Sequence, residues 1–105
     1  MDIQHTTKGF ELTDSIREHA EAKMRKGCSQ VANLPGVHMH ITYEIVGHQL
    51  HGDNRGVSVV MFVPNGEPLK ATEVGEDLYG AMDRAAKDIE RQVRKYREKH
   101  TSHRG

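Results

Sequence analysis

The stretch "VHMHITYEI", Val37 to Ile45, alternates apolar and polar residues without a break. Val37, Met39, Ile41, Tyr43 and Ile45 take one side, and His38, His40, Thr42 and Glu44 take the other. A period of two belongs to a strand, because successive side chains leave a pleated backbone on opposite faces. One apolar face calls for a sheet covered on one side only. Downstream, "VSVVMFV" (Val57–Val63) is apolar on both faces and reads as a more interior strand. The polar segment between them, "VGHQLHGDNRG" (Val46–Gly56), reads as a loop. Asn65-Gly66 offers the positive φ angles of a tight hairpin turn, which makes "PLKATEV" (Pro68–Val74) the returning strand.

Working upstream, "NLPG" (Asn33–Gly36) is a turn, and "LTDSIREHAEAKMRK" (Leu12–Lys26) precedes it. Leu12, Ile16, Ala20 and Met24 recur every four residues and so share one helical face. Thr13 suits the N-cap, with Ser15 and Glu18 as an alternative capping box, and Gly27 ends the regular part. "DIQHT" around Ile3 suits a short first strand. Asp77 stands where a second helix needs its cap, ahead of Leu78, Met82, Ala85, Ile89, Val93 and Tyr96 on one stripe. The order is β-α-β-β-β-α. It predicts an α+β two-layer sandwich: a four-stranded mixed sheet with both helices on one face. His38, His40, Thr42, Lys70 and Thr72 then line a sheet face polar enough to meet water.

Charge is balanced overall, with 15 Lys+Arg against 15 Asp+Glu, but it is not evenly spread. From Arg84 onward there are eight basic residues and three acidic ones, so that segment is +5 and the first 83 residues are −5. Arg84, Lys87, Arg91, Arg94 and Lys95 fall opposite the apolar stripe of the second helix, with Arg97 and Lys99 beyond them. Glu90–Arg94 has the spacing of a supporting ion pair, and Glu90–Arg91 does not. Five like charges on one face repel unless an anion neutralises them, which points to a phosphate-rich partner. Helix 1 adds Arg17, Lys23, Arg25 and Lys26, turning a stripe into a patch. With no Trp and only two Phe there is no aromatic platform for reading bases, so the pattern favours RNA held by shape and phosphates.

Other chemistries find little support. At 105 residues the chain is one domain by size, and its longest apolar run, Val59–Val63, is far too short to cross a bilayer. Its first residues do not resemble a signal peptide, and the single Cys28 makes no internal disulfide, which fits a reducing cytoplasm. Cys28 lacks an evident base or oxyanion hole and reads as a packing residue, so no enzyme is expected. Asp83 reads as a first-turn acid favoured by the helix dipole. "GDNRG" (Gly52–Gly56) is not a phosphate loop but a mobile connection. Eight histidines occur without HExxH or partner cysteines, so neither metal nor cofactor is expected. They gain charge below about pH 6.5, which predicts tighter RNA binding in acid.

Four stretches carry a family resemblance: "LTDSIREHAEAKMRK", "PNG" (Pro64–Gly66), "GEDLYGAMD" (Gly75–Asp83) and "IERQVRKYREK" (Ile89–Lys99). The chain resembles the ribosome hibernation factors, the short hibernation-promoting and protein Y group formerly called sigma-54 modulation proteins. The resemblance implies a fold similar to double-stranded-RNA-binding domains. It also implies a protein that binds 16S-type rRNA of the small ribosomal subunit in the decoding channel. There it would block mRNA and A- and P-site tRNA and inhibit translation in stress or stationary phase. Lys23 and Lys26 match basic positions of the family's first helix; Arg91, Lys95, Arg97 and Lys99 match the second, which Tyr79 and Asp83 help to open. With the charge pattern, the expected rRNA contacts are Lys23, Arg25, Lys26, Arg84, Lys87, Arg91, Arg94, Lys95, Arg97 and Lys99.

The chain departs from the family pattern at Lys87-Asp88, at Gly27 and in the long segment before the third strand. Residues 1–105 are expected to form a single ribosome-binding domain with a short basic tail at 100–105 and no C-terminal dimerisation domain. The tail is similar to the hibernation-promoting type and the "VPNG" hairpin to protein Y. The resemblance implies a cytoplasmic protein, monomeric when free, with a ribosome-dimerising auxiliary factor as a further partner. The other function class is a protein-binding regulator of the sigma-factor type, its basic helix set against an acidic protein surface.

Overall fold

The computed structural model describes residues 1–49 and 52–101. His51, His103, Arg104 and the tail from residue 102 lie outside the described residues. Six elements follow the predicted order: β1 (Asp2–Lys8), α1 (Asp14–Gly27), β2 (His38–Gln49), β3 (Gly52–Phe62), β4 (Leu69–Gly75) and α2 (Leu78–Thr101). The strands pair in sequence order, β1 with β2 in parallel and the others antiparallel, so the sheet is mixed as expected.

The alternation in Val37–Ile45 sets the register. Met39, Ile41 and Tyr43 are buried, and so are Val57, Val59 and Met61 directly across from them on β3. Ala20 and Met24 of α1 close over this face, as do Leu78, Met82, Ala85, Ile89, Val93 and Tyr96 of α2. Each large side chain so buried contributes about 1.5–3 kcal/mol relative to its exposed state. Leu12, Ile16 and Ile45, expected on the same faces, are only partly buried, being at the margins of the core. The open face carries His38, His40, Thr42, Lys70 and Thr72, as anticipated, together with half-exposed Phe62 and Val74.

The caps explain where the helices begin. Thr13 Oγ1 accepts the Ile16 N–H at 3.2 Å, leaving Ser15 free to bond Tyr79 OH at 2.6 Å rather than cap. Asp77 Oδ1 accepts the Gly80 N–H at 2.9 Å. At 24 residues α2 is about 36 Å long, enough to outrun the four strands beneath it.

Two expectations fail. The polar segment Val46–Gly56 is not a loop and "GDNRG" is not a free connection. The β2–β3 ladder continues through Val46↔Asn54, His48↔Asp53 and Gln49↔Gly52, with a register shift between Val46 and His48. This ladder is built on backbone hydrogen bonds between polar residues, so it carries no apolar alternation for a sequence to display. The second failure is the hairpin. Six residues, 63–68, join β3 to β4, and of Asn65-Gly66 only Asn65 takes a left-handed conformation, at φ 58°. Asparagine tolerates that region because its side chain is short and polar.

Candidate nucleic-acid interface

Gly27 decides how closely the two helices approach. A Cβ built there would sit 3.4 Å from Glu90 Cβ and 3.6 Å from the Ala86 carbonyl oxygen. With glycine and alanine at the crossing, the backbones converge and leave a shallow groove above them. Gly27 and Ala86 form its floor; Lys23 and Lys26 rise from α1, and Asp83, Lys87 and Glu90 from α2. The groove encloses about 280 Å³ and runs on past Ser29, Gln30 and Arg94. The glycine that departs from the family pattern is therefore the residue that brings the two basic helices together.

The charges within the groove are unequal. Asp83 Oδ1 accepts from His19 Nε2 at 2.8 Å and lies 3.9 Å from Lys23 Nζ. Asp83 is thus an interhelix acceptor, not the first-turn acid the sequence suggested; α2 starts five residues earlier. Among the described residues, no carboxylate stands within ion-pair distance of Lys26, Lys87 or Arg94. The Glu90–Arg94 pair expected from their spacing is not made, because Glu90 lies over Gly27 instead. Four cations thus face two carboxylates, one of which is already engaged. Such a surface attracts an anionic ligand.

The other predicted contacts fall into separate places. Arg91, on the crest of α2, holds Asp88 Oδ1 at 3.0 Å and remains largely exposed. Arg97 donates to the Gln30 carbonyl at 3.2 Å, tying the end of α2 to the segment after α1. Arg25 turns toward β1, donating to the Met1 carbonyl at 2.9 Å and lying 3.6 Å from Glu21. Arg84 turns toward β4, where it bonds Glu73 at 3.2 Å and the Val74 carbonyl at 2.9 Å. Lys95 and Lys99 occupy the opposite flank of α2, beside the β3–β4 connection. Lys23, Lys26, Lys87 and Arg94 come together along the groove, with Arg91 next to them. Arg25 and Arg84 are half-exposed, and each gives part of its guanidinium to a neighbouring strand or terminus.

The sequence reading missed His19, Ser29 and Gln30, which border this groove. The i, i+4 spacing of Tyr79 and Asp83, matched by Ser15 and His19 on α1, is the signal that would have found the first of these. Tyr79 also meets the His19 ring edge-on, with centroids 5.0 Å apart. Cys28 is buried at the end of α1, and its thiol is pushed up to about 11, first by desolvation and then by the Glu90 charge. That is the packing role expected of it. Tyr43 is likewise shifted upward by burial, then by Glu21, and its hydroxyl meets His5 Nδ1 at 2.9 Å. His38 stacks on Phe62 and His40 bonds Thr6 at 2.7 Å. Among the described residues, no three His, Cys, Asp or Glu side chains gather as a metal site would require.

Residues 3–101 match the model of a family described as sigma 54 modulation protein / S30EA ribosomal protein. A curated relative, the ribosome hibernation promotion factor of Picosynechococcus sp., is 29% identical over 89 residues. That match takes in 84% of this chain but 45% of the relative, so the chain spans under half of the relative's length. Among solved structures, the protein Y N-terminal domain of Thermus thermophilus superposes with a TM-score of 0.76 at 24% identity, over 91% of this chain and 99% of that one. A ribosomal subunit interface protein from Coxiella burnetii gives 0.73 at 22%, over 92% and 98%. At these identities the superpositions speak for the fold.

Proposed function

The chain belongs to the sigma 54 modulation protein / S30EA ribosomal protein family, and from that premise we propose that it is a ribosome hibernation factor. It binds 16S-type rRNA of the small subunit in the decoding channel, where it blocks mRNA and A- and P-site tRNA. The names of its relatives, a hibernation promotion factor and a subunit interface protein, support a ribosomal partner. The observation that carries the reading is the groove: Lys23 and Lys26 on one wall, Lys87 and Arg94 on the other, over a floor of Gly27 and Ala86. Cations held on two walls receive a phosphate backbone lying along the groove, and the short floor residues let it come close. This is binding to shape and charge without base reading, in keeping with the scarcity of aromatic side chains. No step of bond-making is involved, so the protein acts by occupancy.

The described residues make one such binding domain, which acts as a monomer in the cytoplasm; among them no helix is long and apolar enough to cross a membrane. Any pairing of ribosomes requires something beyond this domain, such as an auxiliary factor.

Cosedimentation with purified small subunits tests the proposal. The wild-type protein pellets with the subunits, and Lys87→Glu/Arg94→Glu stays in the supernatant. Equal pelleting of the two removes the groove from the interface. Salt separates rRNA from an acidic protein partner. For about six neutralised phosphates log K falls with a slope near −5, roughly a thousandfold loss between 50 and 200 mM. A shallow slope would favour the protein-binding regulator instead.

A further inference from the structure

The far flank of α2 holds β4 and the β3–β4 connection by three side chains on successive turns. Gln92 takes both backbone groups of Lys70, accepting its N–H at 3.2 Å and donating to its carbonyl at 2.7 Å. Tyr96 OH donates to the Pro64 carbonyl at 2.6 Å. His100 comes last, and its hydrogen bonding differs from the other two. Nδ1 lies 2.9 Å from the Tyr96 carbonyl oxygen and Nε2 lies 3.0 Å from the Asn65 carbonyl oxygen. Both partners are acceptors only. A neutral imidazole has one N–H, so it satisfies one carbonyl and sets a lone pair against the other; the imidazolium donates to both.

Two further features favour the charged ring. It stands in the last turn of a helix, where the macrodipole stabilises a cation. Its centroid is 4.2 Å from that of Tyr96, within range of a cation–π contact. Lys95 and Lys99 line the same cleft of about 570 Å³, and Glu67 is the one carboxylate that lines it. Among the described residues, no ion pair engages either lysine.

We propose that this cleft is a second phosphate site, completed by a proton: protonated His100 latches α2 to the Asn65 carbonyl and joins Lys95 and Lys99 as the third cation. The occupant, a phosphate of the RNA backbone, rests on the rRNA reading above; the latch does not. The two basic sites then lie on opposite flanks of α2, so the helix sits between two stretches of backbone. Acid fastens the connection and deepens the cleft's charge together.

Sulfate is the probe, since it is a dianion at both pH 6 and pH 8, values between which an imidazole gains its second proton. Ring-nitrogen NMR of the free protein at pH 6 is expected to show both nitrogens of His100 protonated; a single protonated nitrogen there overturns the latch. Sulfate should shift the Lys95, Lys99 and His100 signals with a dissociation constant about fivefold lower at pH 6 than at pH 8. His100→Gln should abolish that pH dependence, and Lys95→Gln/Lys99→Gln should abolish binding at both values. A pH response preserved in His100→Gln, or sulfate shifts located elsewhere, overturns the site. Failure to cosediment with small subunits at pH 8 would count against the rRNA reading alone, because none of these measurements contains RNA.

Discussion

The two flanks of α2 carry similar charge and serve different ends. Toward α1, Lys87 and Arg94 stand over a groove with no carboxylate of the described residues in their ion-pair range, and the helices touch at Gly27 and Ala86. Toward the sheet, Gln92 bonds the backbone of β4, and Tyr96 and His100 bond backbone groups of the β3–β4 connection. Arg84, at the start of that flank, is bound to Glu73 and Val74. A cation bonded to the neighbouring element is partly committed to the fold; one facing short side chains and solvent is available to a partner. Charge counted along the sequence cannot separate the two, because the distinction lies in what the neighbouring element offers.

The largest break in this contrast is expected from Lys87→Glu/Arg94→Glu. Losing two phosphate contacts and adding two repulsions should weaken small-subunit binding about a hundredfold at moderate salt, with the salt slope shallower by about two. Arg25→Gln/Arg84→Gln removes as many positive charges, yet should change affinity less than threefold while lowering the melting temperature. Equal losses from the two pairs would erase the distinction between the flanks.

This difference also marks how far the sequence was legible. The element order, the mixed sheet and the buried stripe of α2 follow from periodicity, because burial on one face leaves a periodic trace. The outer β2–β3 ladder left none: it pairs polar residues through their backbones, so the sequence there looked like a loop. The site was half legible. Sign and face could be read from Lys23, Lys26, Lys87 and Arg94. The diversion of Arg25 to Met1 and of Arg84 to Val74 could not, since both acceptors are carbonyls brought near by folding.

Below the groove flank, Cys28 supplies a test at alkaline pH. Its thiol is raised from 9.0 to about 11 in the folded protein, so the unfolded chain ionises first. Stability from this group is complete below pH 9 and falls as pH climbs through 11, by up to roughly 2–3 kcal/mol. Tyr43, raised by burial, pushes the same way at higher pH. Denaturant melts of wild type and Cys28→Ala from pH 8 to 11 check this: the wild type should lose more stability over the range. Parallel losses would mean the thiol is not held protonated.

On the sheet flank, Tyr96→Phe keeps the ring and removes the hydroxyl that bonds the Pro64 carbonyl. Leaving that half-buried acceptor unpaired should cost about 1 kcal/mol in stability. Small-subunit affinity at pH 8 should hold within twofold. A large loss of affinity with intact stability would place the Tyr96 hydroxyl in the interface and reverse the roles assigned to the flanks.

The smallest effect sharpens the contrast most, because it runs the other way. Glu90 lies over Gly27 in the groove wall, among cations, and among the described residues it makes no ion pair. A phosphate entering the groove meets its charge as a repulsion. Glu90→Gln keeps the side-chain volume and removes that repulsion, so affinity should rise about threefold at low salt and less at high salt. The same charge helps to hold up the Cys28 thiol, second to desolvation. Glu90→Gln should therefore also lower the pH at which the native thiol ionises, followed by the ultraviolet absorbance of the thiolate. The two readouts share one cause: a carboxylate whose field reaches up to the ligand and down into the core. Thiol ionisation at lower pH with unchanged affinity would show that the field reaches the core but that the ligand does not lie along the groove.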